Sequence, residues 1–164
     1  MFAESGAEAQ IDDIARRAGV GVGTVYRHFP TKEALMAELG RQKFRLFADR
    51  AREALEQGGD PFAALIDVMR RNAETAARDV GTQQALAGAG ADVWIHARAE
   101  QEELIALTDE LIARARSAGT IRADVRATDI GMLMCGVCSS MGLHVPGFDW
   151  HRHLELVIDM LAPR

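Results

Sequence analysis

The sequence predicts an all-helical protein with an N-terminal helix-turn-helix and a larger C-terminal helical domain. Three observations support this fold class. Apolar residues recur at intervals of three and four, which places them on one face of a helix. Capping residues stand at the ends of these stripes, among them Gly19, Thr31 and the pair Asp60-Pro61. Two short predicted helices near the N-terminus are separated by only a few residues, as in a helix-turn-helix.

The two N-terminal helices are short. The first follows Gln10 and includes Asp12 to Ala18, a run with acids early and bases late, as the helix dipole favours. Its apolar stripe is Ile11, Ile14, Ala15 and Ala18. Gly19 can adopt the left-handed conformation that ends a helix. The second helix covers Val22 to Phe29, because Pro30 pushes the preceding residue out of the helical region. Thr31 then caps the third helix.

The second helix carries side chains that suit DNA, and a helix-turn-helix places this helix in a major groove. Thr24, Tyr26 and His28 offer donors for phosphate oxygens, and Lys32 adds a charge at the next helix start. Arg27 is the only long donor in this helix able to contact a guanine edge through two hydrogen bonds. We therefore expect base recognition by Arg27 and backbone contacts by the others.

The stretch IARRAGVGVGTVYRHFPTKEAL, residues 14–35, resembles the DNA-binding segment of the TetR family of bacterial repressors. Ile-Ala, Ala-Gly-Val, Gly-Thr-x-Tyr, His-Phe and Lys-Glu-x-Leu stand at the family's spacing. The resemblance implies an all-helical homodimer that binds a palindromic double-stranded DNA operator and releases it when a small-molecule effector enters a C-terminal pocket. It also places Val22 and Gly23 at base-contacting positions, where they offer a methyl contact and close backbone approach. Phe29 is interpreted as core.

The start of the sequence departs from this pattern. The family has a full helix before the motif, and residues 1–6 match only its last turn, with Phe2 as a core residue. If that helix is absent, the stripe of Ile11, Ile14 and Ala15 loses a partner and the DNA-binding head is weakened. Gln10 is also a poor N-cap. The alternative function is therefore a helical dimerisation and small-molecule-binding module with an impaired head.

The predicted domains are a head, residues 1–40, and a ligand-binding and dimerisation domain, residues 41–164. The third helix is predicted to reach Gln57, and the next begins after Asp60. A short helix is expected within Gly81–Gly90, followed by one long helix from Ala91 to about Gly119. The last two are expected to start at Thr128 or Asp129 and at Trp150, and the final one ends at Leu161.

Two further sites follow from the domain assignment. The resemblance implies that the last two helices form a four-helix bundle across a two-fold axis. The residues predicted for this dimer interface are Leu133, Val137, Met141, Leu154, Val157, Ile158 and Leu161. Residues that can line an apolar ligand pocket are Phe62, Met69, Trp94, His96 and Met132, although they can equally be ordinary core.

The net charge of −5 is unevenly distributed. Residues 1–50 carry +1 and the remainder carries −6, so the weakly basic part is the one with the helix-turn-helix. No apolar run approaches the length that spans a membrane, and the first residues lack signal-peptide character. We expect a cytoplasmic protein without a membrane partner.

Other chemistry is not indicated. Cys135 and Cys138 form a CxxC in an apolar helical run, which favours buried core or dimer interface over a redox or zinc site. His144, His151 and His153 flank a turn, where surface or interface positions are commoner than metal ligation. No nucleotide loop, nucleophile elbow or metalloprotease helix is present. We expect no enzymatic activity, cofactor or metal.

Overall fold

The structure is a computed structural model that describes residues 10–143 and 145–163, without the side chains of residues 91 and 92. Within these ranges it consists of nine α-helices and no strand, which confirms the predicted fold class. The helices are α1 Ile11–Ala18, α2 Val22–His28, α3 Lys32–Gln57, α4 Pro61–Arg78, α5 Val80–Ala87, α6 Ala91–His96, α7 Arg98–Ser117, α8 Ala127–Met141 and α9 Trp150–Leu161.

The turn between α1 and α2 forms as the sequence predicts. Gly19 has a φ of 68° in the left-handed region, which a residue without a Cβ adopts at little cost. Its N–H donates to the Arg16 carbonyl at 3.2 Å, and the Val20 N–H donates to the Ala15 carbonyl at 3.1 Å. These bonds satisfy the free carbonyls at the end of α1 and turn the chain sharply towards α2.

The caps of the next two helices are also confirmed. The Ala34 N–H donates to the Thr31 hydroxyl oxygen at 3.2 Å at the start of α3. Asp60 accepts from the N–H of Phe62 at 2.9 Å, and Pro61 occupies the first position of α4. The sequence predicted these boundaries because each depends on local chemistry.

The prediction of one long helix from Ala91 to Gly119 is wrong. The segment breaks at Ala97 and forms two helices, α6 and α7. Ala97 has φ −105° and ψ 10°, outside the helical region, and its side chain is fully buried. The break lets α6 pack against the N-terminal half of α3, while α7 packs against the rest of the body. The start of α8 also differs slightly: it begins at Ala127, and Asp129 accepts the Arg126 N–H at 2.9 Å.

Two hydrophobic clusters hold the helices together. The body cluster is built from α4, α7, α8, α9 and the C-terminal half of α3, and its most enclosed large side chains are Leu65, Met69, Leu111, Ile112 and Val137. The junction cluster lies between the N-terminal half of α3 and the α5–α6 pair, and its buried members are Met36, Ala37, Ala85, Leu86 and Val93. Ile14 of α1 packs against the junction cluster, which connects the helix-turn-helix to the body.

Helix α3 is the element shared by all parts of the fold. It continues without interruption through residue 40, where the sequence places the domain boundary. Its first turns pack in the junction cluster and its last turns in the body cluster. A displacement of α3 relative to the body therefore moves the helix-turn-helix as well.

Candidate nucleic-acid interface

Helix α2 is unusual because none of its residues is buried. Val25 is half-buried and faces the protein, whereas the other six residues are exposed. An isolated helix of this length is unstable in water, so neighbouring structure must hold it. Its N-terminal turn starts from Gly21, whose carbonyl accepts the N–H groups of Thr24 at 2.9 Å and Val25 at 3.2 Å. The fold thus presents nearly a whole helical surface to solvent.

Tyr26 connects α2 to α1. Its hydroxyl hydrogen-bonds the Asp12 carboxylate, and this bond together with the negative charge of Asp12 raises the pKa of Tyr26. The tyrosine ring itself is 44% exposed. Tyr26 is therefore both a link within the helix-turn-helix and part of its outer surface.

The remaining predicted DNA contacts on α2 lie on its outside. Thr24, Arg27 and His28 are exposed, and Arg27 forms no ion pair with any described residue. Val22 is exposed at the N-terminal end, and a Cβ built on Gly23 meets no described atom within 4 Å beyond its chain neighbours and its own helix backbone. This end of the helix is open enough for another backbone to approach closely.

Lys32 differs from the other six predicted contacts because it is half-buried. It lines a cavity of about 190 Å³ between the start of α3 and the α5–α6 turn. Glu33, next in the chain, has a lowered pKa because its own backbone N–H and the Thr31 hydroxyl donate hydrogen bonds to its carboxylate. The negative charge of Glu33 is thus part of the capping arrangement at the start of α3.

The residues predicted for the ligand pocket are not brought together. Met69 is buried in the body cluster and Phe62 packs at its edge. Trp94 belongs to the junction cluster, where its ring centroid lies 5.9 Å from that of Phe44. His96 is exposed, and Met132 is 68% exposed on α8.

The predicted dimer-interface residues are placed mostly inside the protomer. Val137, Leu154, Val157, Ile158 and Leu161 are buried in the body cluster, and Leu133 and Met141 pack against it. A side chain already buried in its own chain offers no surface to a second copy. The apolar side chains exposed on α8, α9 and their connection are Met132, Leu143, Val145, Phe148, Leu156 and Met160.

The cysteines and histidines fall into separate environments. The expectation for the two cysteines was buried core or dimer interface; Cys135 is exposed, which excludes the protomer core for it and leaves the interface as a prediction. Cys138 is half-buried, and burial raises the pKa of its thiol. Nδ1 of His151 lies 3.1 Å from Oδ1 of Asp149, and the His151 ring stacks on Trp150. Nδ1 of His153 lies 3.1 Å from the hydroxyl oxygen of Ser140. The prediction for His144 lies outside the described residues.

Two other findings concern the described ranges only. No group of three or more histidine, cysteine, aspartate or glutamate side chains there is arranged to hold a metal ion. None of the described helices combines the length and the apolar character that crossing a membrane requires.

A short turn between two small helices, with all but one residue of the second helix exposed to solvent, defines a helix-turn-helix DNA-binding protein. Comparison with known families is consistent with this geometry. The model for bacterial regulatory proteins of the tetR family matches residues 1–39, and the model for the C-terminal domain of SbtR-like transcriptional regulators matches residues 60–163. The chain belongs to the TetR family of bacterial transcriptional regulators.

Individual relatives agree with this assignment. The chain is 34% identical over 121 residues to the HTH-type transcriptional repressor KstR of Mycolicibacterium smegmatis, covering 73% of this chain and 59% of KstR. It thus spans less than two thirds of the curated relatives that it matches. The crystal structure of a TetR transcription regulatory protein from Mycobacterium vanbaalenii is 38% identical, with a TM-score of 0.64, covering 98% of this chain and 87% of that one.

A third comparison includes a bound ligand. FadR of Thermus thermophilus, a TetR family transcriptional repressor solved in complex with lauroyl-CoA, is 26% identical to this chain. The TM-score is 0.62, and the match covers 93% of this chain and 82% of FadR. The complex with lauroyl-CoA is that of FadR and not of this chain.

Proposed function

We propose that this protein is a ligand-responsive transcriptional repressor that binds a palindromic operator as a homodimer. The observation that carries the proposal is the exposure of α2. A seven-residue helix that buries no side chain contributes little to the protein's own core, whereas the same surface fits the major groove of DNA. The family membership of the chain supports this interpretation.

In this proposal the side chains of α2 divide between base and backbone contacts. Arg27 is exposed and has no ion-pair partner in the part of the chain that the structure describes, so its guanidinium is available for the two acceptors on a guanine edge. Thr24, His28 and Lys32 bind phosphate oxygens, and Val22 and Gly23 approach the bases through a methyl group and the backbone. Tyr26 must turn its hydroxyl away from Asp12 to donate to a phosphate.

We propose that residues 1–40 form the DNA-binding head and that residues 41–164 form the effector-binding and dimerisation domain. Because α3 crosses this boundary as one helix, the two parts are mechanically joined. An effector that binds the body and favours another tilt of α3 shifts the distance between the two heads of a dimer. Release follows once that distance no longer matches successive major grooves, which are about 34 Å apart.

The dimer contact is proposed through the exposed face of α8 and α9. On α8 the exposed positions recur at helical spacing, at residues Thr128, Gly131, Met132, Cys135, Gly136 and Ser139. On α9 the exposed apolar side chains are Leu156 and Met160, one turn apart. Small residues on one helix let the partner approach closely, and an exposed apolar surface of this kind marks an interaction site. This face replaces the buried residues that the sequence indicated.

The effector is proposed to be a small molecule with a large apolar part. FadR of Thermus thermophilus, which shares this fold, holds lauroyl-CoA. The half-buried aromatic rings Phe44, Phe47 and Trp94 provide apolar surface on and around α3. A regulator of this kind acts on chromosomal DNA, so we propose a cytoplasmic location.

Equilibrium binding tests the proposal directly. Fluorescence anisotropy is measured with the DNA upstream of the protein's own gene and with a scrambled duplex of equal length, over a series of salt concentrations. We expect tighter binding to the natural sequence, and an affinity that falls steeply with salt as counterions are released. Equal affinity for both duplexes at every salt concentration would refute specific operator binding and favour a module with an impaired head.

A further inference from the structure

Lys43 has an environment that nothing in the DNA-binding role explains. The chain contains seventeen arginines but only two lysines, Lys32 and Lys43, and Lys43 is the one outside the proposed DNA-binding head of residues 1–40. It is half-buried near the middle of α3. The turns before it belong to the junction cluster and the turns after it to the body cluster, so Lys43 lies where the two hydrophobic clusters separate.

Among the described residues, the partners of Lys43 are all neutral. Its ammonium donates a hydrogen bond to the side-chain oxygen of Gln83 on α5 and lies 5.5 Å from the centroid of the Phe47 ring. The thiols of Cys138 and Cys135 on α8 are close enough to interact with its charge. No carboxylate among the described residues pairs with it. Three arginines of the same helix do have carboxylate partners, namely Arg41, Arg45 and Arg52.

A half-buried cation without a countercharge is costly. Lysine is among the residues least often buried unless it is paired, because its charge is strongly hydrated in water. Burial accordingly lowers the pKa of Lys43. An apolar side chain of the same length would fill this space without that cost. A bound anion would therefore stabilise the ammonium of Lys43 by supplying the missing countercharge.

We propose that Lys43 binds the anionic group of the effector, a carboxylate-bearing molecule whose remaining part is apolar. This inference rests on the proposed function, since it concerns the effector of the same regulator. The Gln83 side chain, which accepts from Lys43, has an amide NH₂ left to donate to a second carboxylate oxygen. The apolar part lies against Phe47 and Cys138 and separates α3 from α5 and α8.

Octanoate and 1-octanol distinguish a charge-dependent site from a merely apolar one, because they share a hydrocarbon chain and differ in charge. Binding of each is measured by titration calorimetry on the full chain. We expect octanoate to bind at least about tenfold more tightly, the equivalent of one charge-assisted hydrogen bond. In Lys43→Met this preference should disappear, and in Lys43→Arg it should largely persist.

Arg45→Met is the matched control, because Arg45 lies on the same helix but is exposed and paired with Glu100. It should retain the preference for octanoate. The proposal is overturned if wild-type protein binds acid and alcohol equally, if octanoate does not bind at all, or if Lys43→Met, shown to be folded by circular dichroism, keeps the preference.

Operator binding is measured on the same samples, which separates this proposal from the proposed function. If wild type and all variants fail to bind the operator but the preference for octanoate still depends on Lys43, the anion site stands and the regulator proposal fails. If operator binding is intact while Lys43→Met leaves the acid preference unchanged, the regulator stands and the anion site is refuted.

Discussion

Arg27 is the residue on which sequence recognition depends in this account. Replacing it with alanine removes a bidentate contact to a guanine edge, and such a contact contributes about 1–3 kcal/mol of discrimination. We expect Arg27→Ala to weaken binding to the operator by roughly 5- to 150-fold, while binding to scrambled DNA changes much less. Competition assays with the two duplexes measure both effects.

Arg98→Ala is the control for Arg27→Ala. Arg98 is also an exposed arginine, but it lies at the start of α7 and pairs with Glu102 at 2.7 Å. It should bind the operator as wild type does. An equal loss of operator affinity in Arg98→Ala and Arg27→Ala would show that net charge, and not the position on α2, determines the affinity.

Lys43 makes a second prediction at the residue scale, on stability and its pH dependence. Because the ammonium is buried among neutral groups, Lys43→Met should stabilise the ligand-free protein by about 1–2 kcal/mol at neutral pH. Burial lowers the pKa of the folded-state lysine, so the unfolded chain binds more protons in the alkaline range. Wild-type stability therefore rises with pH relative to the variant.

Urea unfolding at neutral and alkaline pH checks this prediction. The stability gap between Lys43→Met and wild type should narrow as the pH approaches the ordinary lysine value. A wild type that is the more stable protein at neutral pH, or a gap that does not change with pH, would contradict the account of Lys43 as an uncompensated cation.

At the scale of elements, Gly40 lies on the face of α3 that packs against α5 and α6. A Cβ placed on Gly40 lies 3.7 Å from Trp94 Cζ3, 3.8 Å from Leu86 Cδ2 and 3.9 Å from Ala97 Cβ. These are ordinary van der Waals distances, so one methyl group fits. Gly40→Ala should stabilise the protein by about 0.5–1 kcal/mol, since glycine costs that much within a helix.

Gly40→Leu is the matched variant for this test, because its larger side chain cannot fit between α3 and α6. It should destabilise the protein by about 1–3 kcal/mol through overpacking. Thermal unfolding of both variants gives the comparison. A loss of stability in Gly40→Ala similar to that in Gly40→Leu would mean that the two helices lie closer together than the structure shows.

The helix boundaries show what a sequence can predict and what it cannot. The ends at Gly19, Thr31 and Asp60-Pro61 were predicted because each is determined by the local conformation or capping chemistry of those residues. The break at Ala97 was not predicted, because alanine is the best helix former. It arises from packing: α6 must reach the junction cluster while α7 packs on the body cluster.

The functional residues likewise divide into those that a local sequence pattern predicts and those that depend on packing between helices. The exposed side chains of α2 follow from a local motif, and the structure places Thr24, Arg27 and His28 at the surface. Helix α8 is apolar on more than one side, so its sequence does not say which side faces the protomer core. Val137 takes the core side, whereas Met132 remains exposed. The environment of Lys43 depends on contacts with α5 and α8, which no local pattern reveals.

At the scale of the whole molecule, the proposed dimer depends on the exposed face of α8 and α9. Leu156 and Met160 are 46% and 53% exposed there. The double variant Leu156→Glu with Met160→Glu should dissociate the dimer, because four carboxylates would meet across the two-fold axis. Analytical ultracentrifugation should then give the mass of a single chain, whereas wild type gives twice that mass.

Ile95→Glu serves as the control for the dimer variant. Ile95 is 64% exposed but lies on α6, away from the proposed contact. This protein should remain dimeric. A dimer that survives the double substitution, or a wild type that sediments as one chain, would refute the interface.

The central claim is that two copies of α2 recognise two half-sites of one operator. Hydroxyl-radical footprinting on the DNA upstream of the gene tests this most directly. The account predicts two protected segments related by a palindrome, with centres about 10 base pairs, or a multiple of that, apart. Added effector should abolish both protections together. A single protected half-site, or uniform protection without sequence preference, would contradict the account.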